Sequence, residues 1–131
     1  MESSSQSAKS VYPTVAPYLI VHNADLVIEF LKNAFDFSEG VRHLQPDGKI
    51  MHAELRLGDS MVMLSEASEQ YPPNPTMIHL FLNNCDSYYK RALEAGASSI
   101  MEPKDQEYGH RSAGVRDASG NQWWIASDIK S

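Results

Sequence analysis

Hydrophobic and polar positions alternate in two rhythms along this chain. Residues 16–22, Ala-Pro-Tyr-Leu-Ile-Val-His, form a short apolar run of the length that fills a buried strand. Asn23 then stands at a helix N-cap position, its side-chain oxygen placed to accept from the first orphan amides. Leu26, Val27, Phe30, Leu31, Ala34 and Phe35 follow at helical spacing and make one apolar stripe. Residues 39–45 read as a strand, and Pro46-Asp47-Gly48 has turn chemistry. From Ile50 to Leu57 the period becomes two. Met51, Ala53, Leu55 and Leu57 take one face, and His52, Glu54 and Arg56 take the other. Gly58-Asp59 turns the chain, and Met61 to Ser65 is the next strand.

Tyr71-Pro72-Pro73-Asn74-Pro75 fits neither a helix nor a central strand. The order then restarts. Ile78 to Asn83 predicts a strand, and Asn84 or Asp86 caps a helix that runs to Ala95 and ends at Gly96. Ser98 to Met101, His110 to Arg116 and Gln122 to Ser127 are strands, with a turn at Asp117 to Gly120. Asn23 and Asn84 lie 61 residues apart, and the turn glycines Gly58 and Gly120 lie 62 apart. A strand–helix–three-strand unit therefore occurs twice, which predicts an α+β fold of two tandem βαβββ modules. Their approximate limits are 15–67 and 76–130, in a single domain over 15–131 behind a polar, Ser-rich tail (1–14) expected to be disordered.

Composition narrows the class of function. The 131 residues carry a net charge of −6 with no run of Lys or Arg, so neither nucleic acid nor an anionic membrane is expected as a partner. Cys85 is the only cysteine, which excludes an intramolecular disulfide and a thiolate-rich metal site. No signal-like segment and no apolar stretch near 20 residues is present, so a cytoplasmic protein is expected.

Several motifs resemble those of the glyoxalase/bleomycin-resistance (vicinal oxygen chelate) superfamily. Pro17-Tyr18-Leu19-Ile20-Val21 and Ile28-Glu29-Phe30-Leu31 resemble the opening of such domains. Asp47-Gly48-Lys49-Ile50-Met51-His52-Ala53-Glu54-Leu55 with Gly58-Asp59-Ser60 looks like the PhnB-like branch. Asp105-Gln106-Glu107-Tyr108-Gly109-His110-Arg111 does too, as does Asp117-Ala118-Ser119-Gly120-Asn121-Gln122-Trp123-Trp124-Ile125. The resemblance spans roughly residues 15–130. It implies an eight-stranded open cup with helices outside, frequent homodimers, a small-molecule ligand and often a divalent metal. In the family's enzymes the metal is held near the starts of strands one and five and on strands four and eight.

Those positions fall here on Ala16, Pro17 or Tyr18, on Val62 or Met63, on His79 and on Trp124. Only His79 is an ordinary ligand, so no metal or other cofactor is expected, a divalent metal being the alternative. If the apolar strand faces meet the helices, His52, Glu54, His79, Phe81 and Trp124 line the cup, with Tyr108 and Arg111 at its rim. That set suits an apolar, aromatic-walled ligand site.

Each residue also has a plainer role. His52 and Glu54 suit the wet side of a strand, His79 a hydrogen-bonded core, and Tyr108 and Trp124 simple packing. Arg111 suits a brace to Asp105 or Asp117, and Cys85 a buried inert thiol. His22, His43 and His110 suit the surface. The function expected is sequestration of a small, partly aromatic compound. The alternatives are a metal-dependent lyase, isomerase or dioxygenase, and acid–base catalysis by His52 and Glu54, in which the carboxylate would orient the imidazole. The catalytic residues and the substrate stay open.

Overall fold

The computed structural model describes residues 12–129. Residues 1–11, most of the tail expected to be disordered, lie outside the described residues. The strands are β1 (Tyr18–Val21), β2 (Ser38–Leu44), β3 (Ile50–Leu57), β4 (Ser60–Glu66), β5 (Met77–Phe81), β6 (Ser98–Asp105), β7 (His110–Arg116) and β8 (Gln122–Asp128). The helices are α1 (Ala24–Phe35) and α2 (Cys85–Glu94). The doubled βαβββ order is the one the 61-residue repeat predicts. The eight strands divide into two four-stranded sheets, ordered β1-β4-β3-β2 and β5-β8-β7-β6. In each sheet the first strand runs parallel to the last and the other pairs are antiparallel. Among the described residues no ladder joins the two sheets.

Why the strands bury one face follows from their alternation. Leu19 and Val21 on β1, Ala53 and Leu55 on β3, and Leu64 on β4 are buried with Val27, Ile28 and Leu31 of α1. In the second module Leu80, Ala113, Val115, Trp123 and Ile125 do the same beneath α2. The helices also pack on each other, and one apolar core spans both modules. Trp123 sits at the seam, its ring centroid 5.9 Å from Phe35 and 6.2 Å from Phe37. Phe37 arrives there through the end of α1. Asp36 adopts a left-handed conformation (φ 66°), and the amides of Asp36 and Phe37 return to Lys32 and Leu31. The left-handed residue and these nested bonds close the helix C-terminus and turn the next apolar residue inward.

Two local expectations are corrected. Asn23 does not cap α1 with its side chain; it is itself left-handed (φ 55°). Glu66 at the end of β4 accepts from the amides of Asn23 (3.0 Å) and Ala24 (2.9 Å) instead. A carboxylate satisfies these orphan donors and also meets the positive end of the helix dipole. Asn84 does cap α2 as expected, accepting from Ser87 N at 3.2 Å. Met51 does not face the helix. Pairing shifts between His43 and Leu44, so that Leu44 sits opposite Ile50, and this irregularity gives the buried place to Ile50 and leaves Met51 exposed.

Candidate functional site

The sheet faces turned away from the helices carry the candidate chemistry. On the first sheet this face presents Tyr18 and Ile20 of β1, His52, Glu54 and Arg56 of β3, and Met63 of β4. Tyr18 and Glu54 both lie opposite Met63 in register, which places the three in one row across the sheet. His52 and Glu54, two apart on β3, project side by side as the period of two requires. The His52 Nε2 is 2.9 Å from the Glu54 Oε2, and the His52 Nδ1 is 3.0 Å from the Tyr18 hydroxyl. The Tyr12 hydroxyl donates to the same Glu54 oxygen at 3.3 Å, and this bond holds the Tyr12 phenol above the ordinary tyrosine range. Glu54 is 8% exposed, so its carboxyl group relies on these protein contacts more than on bulk water.

A cavity of about 520 Å³ opens beside this chain of bonds, walled by Tyr18, Ile20, Met51, Ser65 and Tyr71. Glu66 also borders it, with both carboxylate oxygens engaged by α1 amides. A second cavity, of about 580 Å³, lies where the modules meet. Phe37, Leu57, Met61 and Val62 face Ile78, Leu80 and Leu82 there, with His79 and Phe81 on its border.

The equivalent face of the second sheet is aromatic. Phe81 and Tyr108 are 54% and 69% exposed and flank His110, at 5.0 and 5.5 Å between centroids. His79 is exposed rather than a core histidine, and it lies opposite Trp124 in register. The Trp124 indole covers Gly114 so closely that a Cβ there would stand 2.7 Å from the ring. Its Nε1 donates to the Gln122 side chain at 2.9 Å.

The predicted set is thus divided. His52 and Glu54 are brought together on one sheet; His79, Phe81, Tyr108 and Trp124 share the other. Arg111 belongs to neither face. It shares the helix side of β7 with Ala113 and Val115 and is clamped by Asp86 of α2 (2.6 Å) and by Asp105 (2.9 Å). The brace to Asp105 is therefore present, and the place at the rim of the cup is not. Alternation along β7 carries that signal, since Arg111 is in phase with two apolar residues. Tyr18 and Tyr12 are the additions. Tyr18 is in phase with Ile20 and out of phase with Leu19 and Val21, so its side was legible; Tyr12 lies before any periodic segment and gave no such signal.

Asp117, in the last of the quoted motifs, builds structure. Its carboxylate accepts from the Ser119 and Asn121 amides, the Trp123 Nε1 and the Asn121 side chain. Cys85 is 1% exposed, and burial foremost, with Asp86 adding to it, pushes its thiol up to about 11. That removes it from the nucleophiles.

The four positions implied for a metal hold Tyr18, Met63, His79 and Trp124, and His79 and Trp124 follow Tyr18 and Met63 by 61 residues each. A phenol, a thioether, one imidazole and an indole do not form a divalent-metal set. Among the described residues no group of three or more His, Cys, Asp or Glu side chains is placed to hold an ion. Nor is any helix among them long and apolar enough to cross a membrane.

Residues 13–125 match the profile of the Glyoxalase/Bleomycin resistance protein/Dioxygenase superfamily. The chain is 34% identical to Uncharacterized protein Mb0911c of Mycobacterium bovis, over 94% of this chain and 88% of that one. TioX from Micromonospora sp. ML1 is similar in structure, with a TM-score of 0.76 and 24% identity, over 89% of this chain and 99% of the other. A glyoxalase/bleomycin resistance protein/dioxygenase family enzyme from Burkholderia phytofirmans PsJN gives a TM-score of 0.73 at 18% identity, over 87% and 97%. At those identities the structural likeness establishes the fold alone.

Proposed function

Because the chain belongs to the glyoxalase/bleomycin resistance protein/dioxygenase superfamily, and because its metal positions lack a ligand set, we propose that it is a small-molecule-binding protein of that superfamily. It sequesters a small, partly aromatic compound without a tightly held divalent ion. The observation that carries this is the cavity of about 520 Å³, whose wall of Tyr18, Ile20, Met51 and Tyr71 borders a chain of polar groups. Apolar walls with a few convergent polar groups are the usual make-up of such sites. The motifs quoted above support assignment to the PhnB-like branch, and a chain with no second cysteine to pair with Cys85 suits the cytoplasm.

A homodimer follows from the same reading. Met77, Phe81 and Tyr108 expose much apolar surface on the second module, and a second copy would cover it and close the cup that one chain leaves as two sheets.

The test is equilibrium binding of a panel of planar aromatic compounds, followed by calorimetry, with elemental analysis of the chelator-free protein. Saturable binding by the wild type, lost in Ile20→Glu, supports the proposal. Binding unaffected by Ile20→Glu, or a stoichiometric metal lost in His79→Ala, overturns it. The second reading, acid–base catalysis, is favoured by the 2.9 Å contact between His52 and Glu54.

A further inference from the structure

We propose that Tyr18, His52 and Glu54 form a proton-accepting relay, and that the ligand taken by the cavity is a planar compound bearing an acidic hydroxyl, a phenol or an enol. This rests on the small-molecule reading above and specifies its chemistry.

The direction assigned to the relay follows from which groups can donate. Glu54 Oε2 accepts the Tyr12 hydroxyl and lies 2.9 Å from the His52 Nε2; in the proposed relay it is the carboxylate, which only accepts. The proton of a neutral His52 is therefore on Nε2, and Nδ1 is left with a lone pair. Tyr18 stands 3.0 Å from that lone pair and donates its O–H to it. The Tyr18 oxygen then has only lone pairs to offer. Tyr18 is 45% exposed and borders the cavity, so an acceptor backed by a base is what a ligand meets.

A hydroxyl on the ligand satisfies that acceptor; a carboxylate or an ether oxygen does not. When the hydroxyl is acidic, its O–H bond breaks and the proton passes to the Tyr18 oxygen. The phenolic proton of Tyr18 moves to His52 Nδ1, and the resulting imidazolium lies against Glu54. The ligand becomes a phenolate or enolate, and the proton count balances within the site.

Three further titratable or charged groups stand near the relay. His43 of β2 stacks on His52 at 6.4 Å, and Glu66 is engaged by helix amides. Arg56, next on this face of β3, puts a positive charge beside Glu54, and its buried Nη2 has no hydrogen-bond partner among the described residues. Tyr18 touches the ligand; His52 and Glu54 are positioning residues.

The probe is 4-nitrophenol, whose neutral and anionic forms absorb at different wavelengths, with 4-nitroanisole as the analogue lacking a donor. The pH is chosen so that free 4-nitrophenol is mostly neutral. The wild type should bind it with the absorption of the anion and bind the anisole about tenfold more weakly, the loss of one good hydrogen bond. Tyr18→Phe should lose about the same factor, and Glu54→Gln should retain binding but hold the compound neutral. Nitrogen-15 NMR of the unliganded protein should show His52 as the Nε2–H tautomer, a readout independent of any ligand. Binding of both compounds with a neutral spectrum, an unchanged Tyr18→Phe variant, or an Nδ1–H tautomer overturns the relay alone. Absence of saturable binding for both compounds overturns the cavity reading, and the relay's ligand with it.

Discussion

Position by position, the two modules carry different chemistry on one lattice. Tyr18, Met63 and Glu54 lie in a row across the first sheet, and His79, Trp124 and Gly114 form the equivalent row of the second. Where the first module has a buried carboxylate, the second has a glycine covered by an indole. The helices differ as much. Seven residues of α1 are buried, against only Cys85 and Ala92 of α2. The first module thus draws its stability from an apolar helix, and its outer face is free to carry a polar relay. The second compensates for a thin helix with a buried polar clamp at Asp117 and a large aromatic, Trp123, beneath it. Duplication keeps the ladder and the core, while the outward-facing positions diverge, because only the inward phase of each strand is constrained by packing.

The sharpest way to break this contrast is at the two β-turns. Asp117→Ala leaves the indole N–H of Trp123 and the amide of Asn121 without their acceptor in a buried setting, at roughly 1–3 kcal/mol each. A loss of about 3–4 kcal/mol in urea unfolding is expected. Asp59→Ala, at the exposed turn of the first module, should stay within about 0.5 kcal/mol. Equal effects would show that the clamp is not what sets the second module apart.

Next in size is Gly114→Ala. The added methyl would lie 2.7–2.8 Å from three atoms of the Trp124 ring, so the indole must move off the sheet. Overpacking of this kind costs about 1–3 kcal/mol. The variant should also show a shifted tryptophan emission, since Trp124 would give up its bond to Gln122. Unchanged emission and stability would mean that the indole does not need the glycine.

What was legible in the sequence, and what was not, separates along the same line. Period two in Ile50–Leu57 and helical spacing in Leu26–Phe35 fixed the elements, because burial repeats with the geometry of each element. The adjacency of His52 and Glu54 was legible for the same reason. Three features were hidden. The Glu66 cap comes from 42–43 residues away in the chain, beyond any local pattern. Met51 is displaced by a pairing irregularity that shifts the phase by one residue. The division of the site between two sheets depends on how the modules dock, which alternation within a strand does not record.

Glu66→Ala tests the nonlocal cap against the local one. Two amides at the start of α1 would lose their acceptor, and about 1–2 kcal/mol should be lost, at the upper end for helix caps because a carboxylate also meets the dipole. Asn84→Ala removes a single bond at the start of α2 and should cost nearer 0.5–1 kcal/mol. A larger loss for Asn84→Ala would reverse the view that α1 is the more heavily supported helix.

The smallest effect belongs to the ion pair that links the modules. Arg91 of α2 reaches Asp36, just beyond α1, at 2.6 and 3.1 Å, and also donates to the Asn33 carbonyl at 2.8 Å. The hydrogen bond from the guanidinium, against an opposing effect of burial, holds the Asp36 carboxyl below its ordinary value. A carboxyl whose folded value is depressed contributes stability that is fully present above the unfolded value, near 3.9. That contribution is lost as the pH falls through the folded value. Both side chains are more than a third open to solvent or close to it, at 57% for Asp36 and 34% for Arg91, so the pair is screened and should be worth under about 1 kcal/mol. Arg91→Gln should therefore lower stability slightly at neutral pH, and the difference from wild type should shrink below about pH 4 and in high salt. Urea unfolding at pH 7 and pH 3 would check this. A difference that persists at pH 3 would assign the effect of Arg91 to its packing on Tyr88, 5.2 Å from the ring centroid, and to the Asn33 carbonyl. The modules themselves should stay docked in either case, because Phe35, Phe37 and Trp123 hold the seam by apolar contact that no titration removes.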